Sequence, residues 1–223
     1  MFFVGSSGIL IRMNIETIRN IKQTGQLPPE FAERMKEHDR SIVERFGGEH
    51  MAFFPRTYAA IVEHMMENSV PMDVVDIGCD NGYQSEFFLE GKYLGIEPAP
   101  DCLRLLGGTF FNERENNVNY AMSKFPDKYI DVRKKTIISS MSLGWYVFNK
   151  NGKIKFRNPD DGYERDFKKF AEALSPAKNI YIRTTKKFAS YLKANFSDHH
   201  VFDDRELDAH FQPEHCEMLY IRQ

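Results

Sequence analysis

The feature that most constrains this chain is an apolar run that enters a turn with two glycines. A strand predicted at residues 72–77 contains Asp76 and is followed by Gly78 and Gly82, and a second strand predicted at residues 93–97 ends on Glu97. Glycine adopts backbone angles closed to other residues and lets main chain lie against a ligand. A carboxylate about 20 residues after such a turn is placed to bind ribose hydroxyls. The stretch therefore predicts a nucleoside pocket.

The residues of the turn also indicate which nucleoside fits. A dinucleotide fingerprint that begins at Gly78 requires glycines at positions 80 and 83, where this chain has Asp80 and Tyr83. A carboxylate at position 80 repels a pyrophosphate that would rest on the turn. S-adenosylmethionine has no phosphate and carries a cationic sulfonium and an ammonium group. Asp76 and Asp80 therefore favour S-adenosylmethionine over NAD.

At this point the stretch resembles motif I of the class I (Rossmann-like) S-adenosylmethionine-dependent methyltransferases. The motif is Asp-x-Gly-x-Gly-x-Gly, and residues 76–82 match it except that Asp80 replaces the middle glycine. Glu97 resembles the ribose-binding acid of motif II. The resemblance implies that S-adenosylmethionine is the cofactor, with no catalytic residue and no metal ligand assigned. The residues expected to bind the cofactor are Asp76, Gly78, Cys79, Asp80, Gly82, Glu97 and Ser140.

Short apolar strands alternate with helical stretches from Met72 onward, which predicts parallel βαβ units. Further strands are predicted near residues 118–122, from 135 and at 179–183, with a hairpin around Asn151-Gly152. The resemblance places the last strand, residues 217–221, antiparallel beside the strand at 179–183. We expect an α/β protein with a Rossmann-like, seven-stranded, mostly parallel sheet, helices on both faces and an N-terminal helical extension.

The first 69 residues are expected to form this helical extension or lid, and residues 70–223 the cofactor-binding domain. One helix is predicted from Phe31 to Phe46 and another from Pro55. In the second helix, apolar residues recur at helical spacing and are predicted to share a face: Tyr58, Ile61, Val62, Met65 and Met66. The resemblance implies that such helices cover the substrate side of the pocket.

The loop after the fourth strand bears on the methyl acceptor. Methyltransferases that act on amino groups of bases carry an Asp/Asn-Pro-Pro-aromatic motif there, whereas this chain has Ser140 followed by Met-Ser-Leu. Trp145 and Tyr146 can either stack on a flat acceptor or pack in the core. We therefore expect a small-molecule or glycan acceptor, methylated on a hydroxyl group.

The composition of the chain limits the classes of partner and the cellular compartment that we expect for it. The net charge of −2 and the lack of a basic, aromatic-rich groove disfavour a nucleic-acid partner. Three cysteines without CxxC spacing fit a reducing compartment. Apolar runs are too short to cross a bilayer, so we expect no membrane partner and a cytoplasmic location. His199 and His200 are interpreted as surface residues, because the tail lacks the paired spacing of zinc ligands.

Two alternatives from other classes stay open. Asp80 in place of the middle glycine is compatible with a non-catalytic module that keeps the sheet and binds a partner protein through residues 13–69. An NAD-dependent oxidoreductase is the other alternative, and Asp80 and Tyr83 argue against it.

Overall fold

The computed structural model describes most of the region that the sequence assigns to the sheet. The described residues are 14–33, 35–36, 54–79, 82–88, 91–98, 118–121, 123, 125–140, 143, 146–148, 154–156, 164–203, 207 and 216–223, with the backbone alone for 146–148, 154–156 and 164–165.

Nine described strands form one seven-stranded sheet and one hairpin. They are β1 (Val74–Ile77), β2 (Tyr93–Ile96), β3 (Val118–Ala121), β4 (Thr136–Ser140), β5 (Tyr146–Phe148), β6 (Ile154–Phe156), β7 (Asn179–Thr185), β8 (His199–Val201) and β9 (Cys216–Arg222). The order in the sheet is β3-β2-β1-β4-β7-β9-β8, and β5 pairs with β6.

The pairing confirms the predicted Rossmann-like sheet. β3, β2, β1, β4 and β7 are parallel neighbours. β9 runs antiparallel to β7, as expected for the terminal strand, and it also pairs antiparallel with β8, a strand that was not predicted. β5 and β6 are antiparallel and form the predicted hairpin. In parallel sheets the carboxyl ends of the strands lie at one edge, so the turn after β1 and the residue after β2 are neighbours.

Helices lie against the sheet and before it. They are α1 (Ile15–Thr24), α2 (Pro55–Glu67), α3 (Glu164–Leu174) and α4 (Lys186–Asn195), with a 3₁₀ helix at Tyr83–Phe87. α1 begins at Asn14, whose side chain accepts a hydrogen bond from the Thr17 N–H, and ends at Gly25 in the left-handed conformation. Within the described chain, no helix is both long and apolar enough to span a bilayer.

The two faces of the sheet bury different helices, because side chains alternate along each strand. Val74 and Ile138 face α1 and α2. Val75, Ile137 and Ile180 face α3 and α4. Helices on both faces are thereby confirmed. α2 shares its apolar cluster with the sheet, and the division of the chain at residue 70 stays a prediction.

One detail of the predicted N-terminal helices is wrong. Met66 is 45% exposed, whereas the other four residues assigned to its face are buried. At 100° per residue Met66 lies at the margin of that face, near the end of α2. Phe31 and Met35 are buried as predicted, and the rest of the helix predicted to reach Phe46 lies outside the described residues.

Candidate cofactor site

The glycine turn follows β1 directly and depends on two left-handed residues. Gly78 has a φ of 77° and Gly82 a φ of 70°. The Gly78 N–H donates to the carbonyl of Ile96 at 2.7 Å, and the Gly82 N–H donates to the carbonyl of Cys79 at 2.8 Å. A side chain at a left-handed position costs about 1–2 kcal/mol. Glycine at these two positions therefore avoids that cost and places no side chain at residues 78 and 82.

The underside of the turn packs tightly on β2. A Cβ atom on Gly95 would lie 2.6 Å from the Cys79 Sγ and 2.7 Å from a ring carbon of Tyr120, so no larger residue fits there. The Cys79 side chain is fully buried. The side chain of Cys79, a predicted cofactor-binding residue, is therefore not exposed to a ligand.

Asp76 lies in β1 just before the turn and is completely buried. Its Oδ2 accepts hydrogen bonds from the Gln84 Nε2 at 2.9 Å and from the Tyr93 hydroxyl at 2.7 Å. Its Oδ1 has no hydrogen-bond partner among the described residues. Buried polar atoms are nearly always paired, so this carboxylate oxygen is an exception that calls for an explanation.

Burial raises the pKa of Asp76 to about 6, and the hydrogen bonds from Tyr93 and Gln84 oppose that rise. The charge of Glu97 raises the pKa further. The donors around Asp76 are neutral, so they orient the carboxylate without neutralising it. At neutral pH the site therefore holds a buried negative charge.

Two more acids lie near the same edge of the sheet. Glu97 directly follows β2 and is buried, with its N–H bonded to the carbonyl of Ala121 at 3.1 Å. Glu86 lies in the 3₁₀ helix and is also buried. Its charge contributes to the raised pKa of Tyr120, after the larger effect of burial. Acids at a binding site disfavour a phosphate group, and Asp76, Glu86 and Glu97 are three buried acids in this region.

The sheet continues on the other side of β1 with β4 and β7. Ser140 ends β4, is buried and pairs in register with Arg183 of β7. The Arg183 Nη1 donates to the Thr57 Oγ1 of α2 at 3.0 Å. The loop after β4 is anchored at Leu143, whose N–H donates to the Ser139 Oγ at 3.4 Å. The start of α2 therefore lies against β7, beside the end of β4.

Sequence comparison and structure comparison give different results. No family model matches the sequence, and no curated protein is similar to it in sequence. The structure is similar to magnesium protoporphyrin IX methyltransferase (ChlM) from Synechocystis PCC 6803, solved with bound S-adenosylmethionine. The TM-score is 0.54 at 11% identity, over 98% of this chain and 100% of that one.

A second solved structure agrees with the first. The methyltransferase domain of bacterial CtHen1-CN matches with a TM-score of 0.53 at 10% identity, over 75% of this chain and 98% of that one. The chain has the class I methyltransferase fold.

The methyltransferase fold brings most of the predicted site residues to one edge of the sheet. Asp76, Gly78, Cys79 and Gly82 lie at the end of β1, and Glu97 and Ser140 lie at the ends of its two neighbours. Asp80 lies outside the described residues. Their roles in binding stay predictions.

Other residues that the sequence singled out are less informative within this methyltransferase fold. His199 and His200 are exposed on β8, as expected for surface residues. Trp145 and the Tyr146 side chain lie outside the described part.

Sequence reasoning missed the polar residues that support the turn. Gln84, Tyr93 and Tyr58 surround the Asp76 carboxylate and affect its pKa. Gln84 follows the motif by two residues, and a polar residue there predicts a solvent-facing position. Tyr93 begins an apolar strand, and its place in the sequence pattern predicts an ordinary core residue. No signal in the sequence links these residues to Asp76.

Proposed function

We propose that this chain is an S-adenosylmethionine-dependent methyltransferase that methylates a hydroxyl group of a small molecule or a glycan. The observation that carries the proposal is the combination at the end of β1. Two left-handed glycines, Gly78 and Gly82, lie next to a buried carboxylate, Asp76, that has one oxygen unpaired among the described residues. The class I methyltransferase fold supports it, and two solved structures with this fold contain S-adenosylmethionine or S-adenosylhomocysteine.

The chemistry of the site fits this cofactor. When bound, S-adenosylmethionine would supply a methyl group on a cationic sulfonium centre. A nucleophile would bond to the methyl carbon as the carbon–sulfur bond breaks, and the neutral thioether S-adenosylhomocysteine would leave. Asp76 places a negative charge beside the turn with only neutral described donors around it, and an ammonium group would supply the hydrogen bond that its buried Oδ1 lacks among the described residues. The main chain at Gly78 and Gly82 lets a ligand approach closely.

Glu97 is the residue we assign to the ribose. A carboxylate that directly follows β2 can accept hydrogen bonds from the two vicinal hydroxyls. The same negative surroundings oppose a dinucleotide, because a pyrophosphate near Asp76, Glu86 and Glu97 would be repelled. The oxidoreductase alternative is therefore disfavoured on electrostatic grounds.

The acceptor is assigned to the space beyond β4, between Ser140 and the start of α2. We propose that residues 1–69 form a helical extension over this side of the domain at 70–223. Methyl transfer to a hydroxyl needs the oxygen in line with the sulfonium methyl, so positioning and exclusion of water supply most of the rate. Hydroxyl chemistry is favoured over amino groups of bases because serines replace the Asp/Asn-Pro-Pro motif.

Calorimetry with S-adenosylhomocysteine tests cofactor binding. The wild-type chain should bind, and Glu97→Gln should weaken binding about 10- to 100-fold, because a hydrogen bond to a charged group contributes about 1.5–3 kcal/mol. Glu172→Gln is the matched control, since Glu172 is an exposed glutamate of α3, far along the chain from the turn. Failure of the wild type to bind, or equal affinities of the two variants, would contradict the proposal.

The acceptor class is tested by turnover. Incubation of the chain with S-adenosylmethionine and panels of hydroxyl-bearing small molecules, glycans and RNA should release S-adenosylhomocysteine with a member of the first two panels. Release with RNA alone would contradict the acceptor assignment but not the cofactor. Binding without turnover on any panel would favour the non-catalytic alternative.

A further inference from the structure

Gln84 makes two hydrogen bonds that join the end of β1 to the glycine turn. Its side chain is buried in the 3₁₀ helix. The Nε2 donates to the Asp76 Oδ2 at 2.9 Å and to the carbonyl of Cys79 at 2.6 Å. Both partners are acceptors, so the amide nitrogen rather than the oxygen must face them. One NH₂ group thus uses both of its hydrogens to connect a strand to a turn.

The Cys79 carbonyl is held from two directions. Besides Gln84, the N–H of Gly82 donates to it at 2.8 Å, and that bond closes the turn. Gly82 has a left-handed backbone and is also the N-cap of the 3₁₀ helix that carries Gln84. The shape of the turn and the position of Gln84 therefore depend on each other.

The connection extends to β2 through Asp76. The Tyr93 hydroxyl donates to the same Oδ2 that Gln84 contacts, and burial raises the pKa of Tyr93, so it remains a donor. Asp76, Gln84 and Tyr93 are all buried, which leaves little water to replace a lost bond. The network fixes Oδ2 and leaves Oδ1 with no described partner.

We propose that Gln84 is a positioning residue that holds the glycine turn in its cofactor-binding shape by bridging Asp76 to the carbonyl of Cys79. This inference rests on the proposed function, because the cofactor is what the turn would receive. Gln84 acts through the main chain of the turn and through the orientation of Asp76, and contact with the cofactor is not required.

Two substitutions separate this role from simple packing. Gln84→Met keeps the length of the side chain but removes both donors. Gln84→Glu keeps the shape but places a second carboxylate against Asp76, so that the pair retains a proton well above the usual pH range for acids. The protonated glutamic acid can donate one of the two lost bonds, and the ionised form can donate none.

Other titratable groups face this pair and are common to both variants. Tyr58 of α2, Tyr93 of β2 and Glu97 after β2 act on Asp76, and Cys79 and Glu86 lie in the turn and the 3₁₀ helix. Because these groups are unchanged, the ratio of variant to wild-type affinity at each pH isolates the effect of position 84.

The experiment combines a measurement without ligand and one with ligand. Hydrogen exchange of the Gly82 amide should speed up at least tenfold in Gln84→Met. The affinity for S-adenosylhomocysteine should fall about tenfold in Gln84→Met, by a similar ratio at pH 6 and pH 8. Gln84→Glu should lose more than tenfold at pH 8 and regain most of that loss, relative to wild type, at pH 6. Gln26→Glu, a control outside the turn, should match wild type.

The outcomes distinguish the two proposals. If the wild type fails to bind, the proposed function fails, while the exchange rate of Gly82 still tests the bridge. If the wild type binds and both Gln84 variants bind within twofold of Gln26→Glu, Gln84 is not a positioning residue. Equal losses in both variants at both pH values would also overturn the inference, because a packing role has no pH dependence.

Discussion

Glu63 in the N-terminal helices and Asp76 in the glycine turn are both buried carboxylates that accept two side-chain hydrogen bonds, yet their donors differ in charge. Glu63 accepts from the Arg19 Nε at 2.9 Å and from the Lys22 Nζ at 2.8 Å, one at each oxygen. Asp76 accepts from the neutral Gln84 and Tyr93, both at Oδ2. One carboxylate is neutralised within the protein and the other is not.

The pKa values of the two acids differ accordingly. For Glu63, burial raises the pKa, but the hydrogen bonds and charges of Lys22 and Arg19 outweigh burial, so the pKa is lowered. For Asp76, burial outweighs its neutral donors, and the pKa is raised to about 6. An acid paired with internal cations stabilises the contact between α1 and α2. An acid left charged and half satisfied lowers stability, which is expected where a ligand cation completes the site.

Asp76→Asn should have the largest effect of the substitutions considered. It should lower the affinity for S-adenosylhomocysteine and raise the free energy of unfolding. The carbonyl of the new asparagine can accept the bonds from Gln84 and Tyr93, with its NH₂ group at the position of Oδ1. Affinity for S-adenosylhomocysteine, which keeps the ammonium group, should fall about 30- to 100-fold, because a charge-assisted hydrogen bond contributes about 2–3 kcal/mol. The free energy of unfolding at pH 7 should rise, since no charge is buried at this position. Calorimetry and urea denaturation measure the two quantities.

A fall in stability without a change in affinity would reverse the comparison. In that case Asp76 would resemble Glu63, and its carboxylate would serve the fold alone. Asp73→Asn is the matched control, because the Asp73 side chain caps the exposed Lys92 N–H at the start of the same βα unit.

Lowering the pH from 8 to 5 should weaken cofactor binding about tenfold. Asp76 takes up a proton as the pH falls through about 6, and at one unit below the pKa roughly nine-tenths of the carboxyl is neutral. Because the pKa of Asp76 is higher in the folded chain than its unfolded value of 3.8, protonation of this carboxyl stabilises the fold. The stabilisation is fully present below pH 3.8 and is lost as the pH rises through about 6. Binding and stability should therefore change in opposite directions over this window.

Glu63 and the Asp76→Asn variant provide the internal controls for this titration. The pKa of Glu63 is lowered from 4.5, so its contribution is present above pH 4.5 and is lost only as the pH falls further. The α1–α2 contact should stay intact between pH 8 and 5. In Asp76→Asn the pH dependence of binding should disappear, and its persistence would assign the effect to another group.

The sheet could be predicted from the sequence because its signals are local. Apolar runs separated by turn residues predicted every strand of the sheet except β8 to within a few positions, and motif I placed the first turn. The edge strand β8 was missed because its three residues, His199–Val201, are exposed and show no apolar run. The identity of the sheet neighbours came from the resemblance rather than from residue patterns.

The support of the site could not be predicted, because it depends on contacts between distant residues. Tyr93 is 17 residues from Asp76 in sequence, and Arg183 is 126 residues from Thr57. The same limit applies to Glu63, whose cationic partner Arg19 is 44 residues away. The sequence identified Asp76 as the acid of motif I. It could not show whether a nearby cation compensates the charge of Asp76.

Alanine substitution at two left-handed glycines should show which region carries function. Gly25 ends α1 with a φ of 72° and Gly82 lies in the turn with a φ of 70°, so alanine should lower the free energy of unfolding by about 1–2 kcal/mol at either position. At Gly25 the new methyl group would meet the flexible Arg56 side chain at 3.3 Å. Only Gly82→Ala should also weaken binding of S-adenosylhomocysteine, by about fivefold. Equal affinities for the two variants would contradict a role for the turn.

Glu63→Gln should give a smaller effect than the substitutions above and complete the comparison. The Arg19 side chain is 52% exposed and the Lys22 side chain 23% exposed, so water can solvate both cations once the carboxylate is removed. We therefore expect the free energy of unfolding to fall by only about 1 kcal/mol in urea denaturation. Glu67→Gln, which removes a longer and more exposed contact to Arg19, should cost less. Affinity for S-adenosylhomocysteine should stay within twofold of wild type in both variants, because neither carboxylate belongs to the glycine turn. A loss of affinity as large as that of Asp76→Asn would mean that α1 and α2 act on the cofactor site. In that case the charge of the hydrogen-bond donors would not distinguish the structural acid, Glu63, from the functional acid, Asp76.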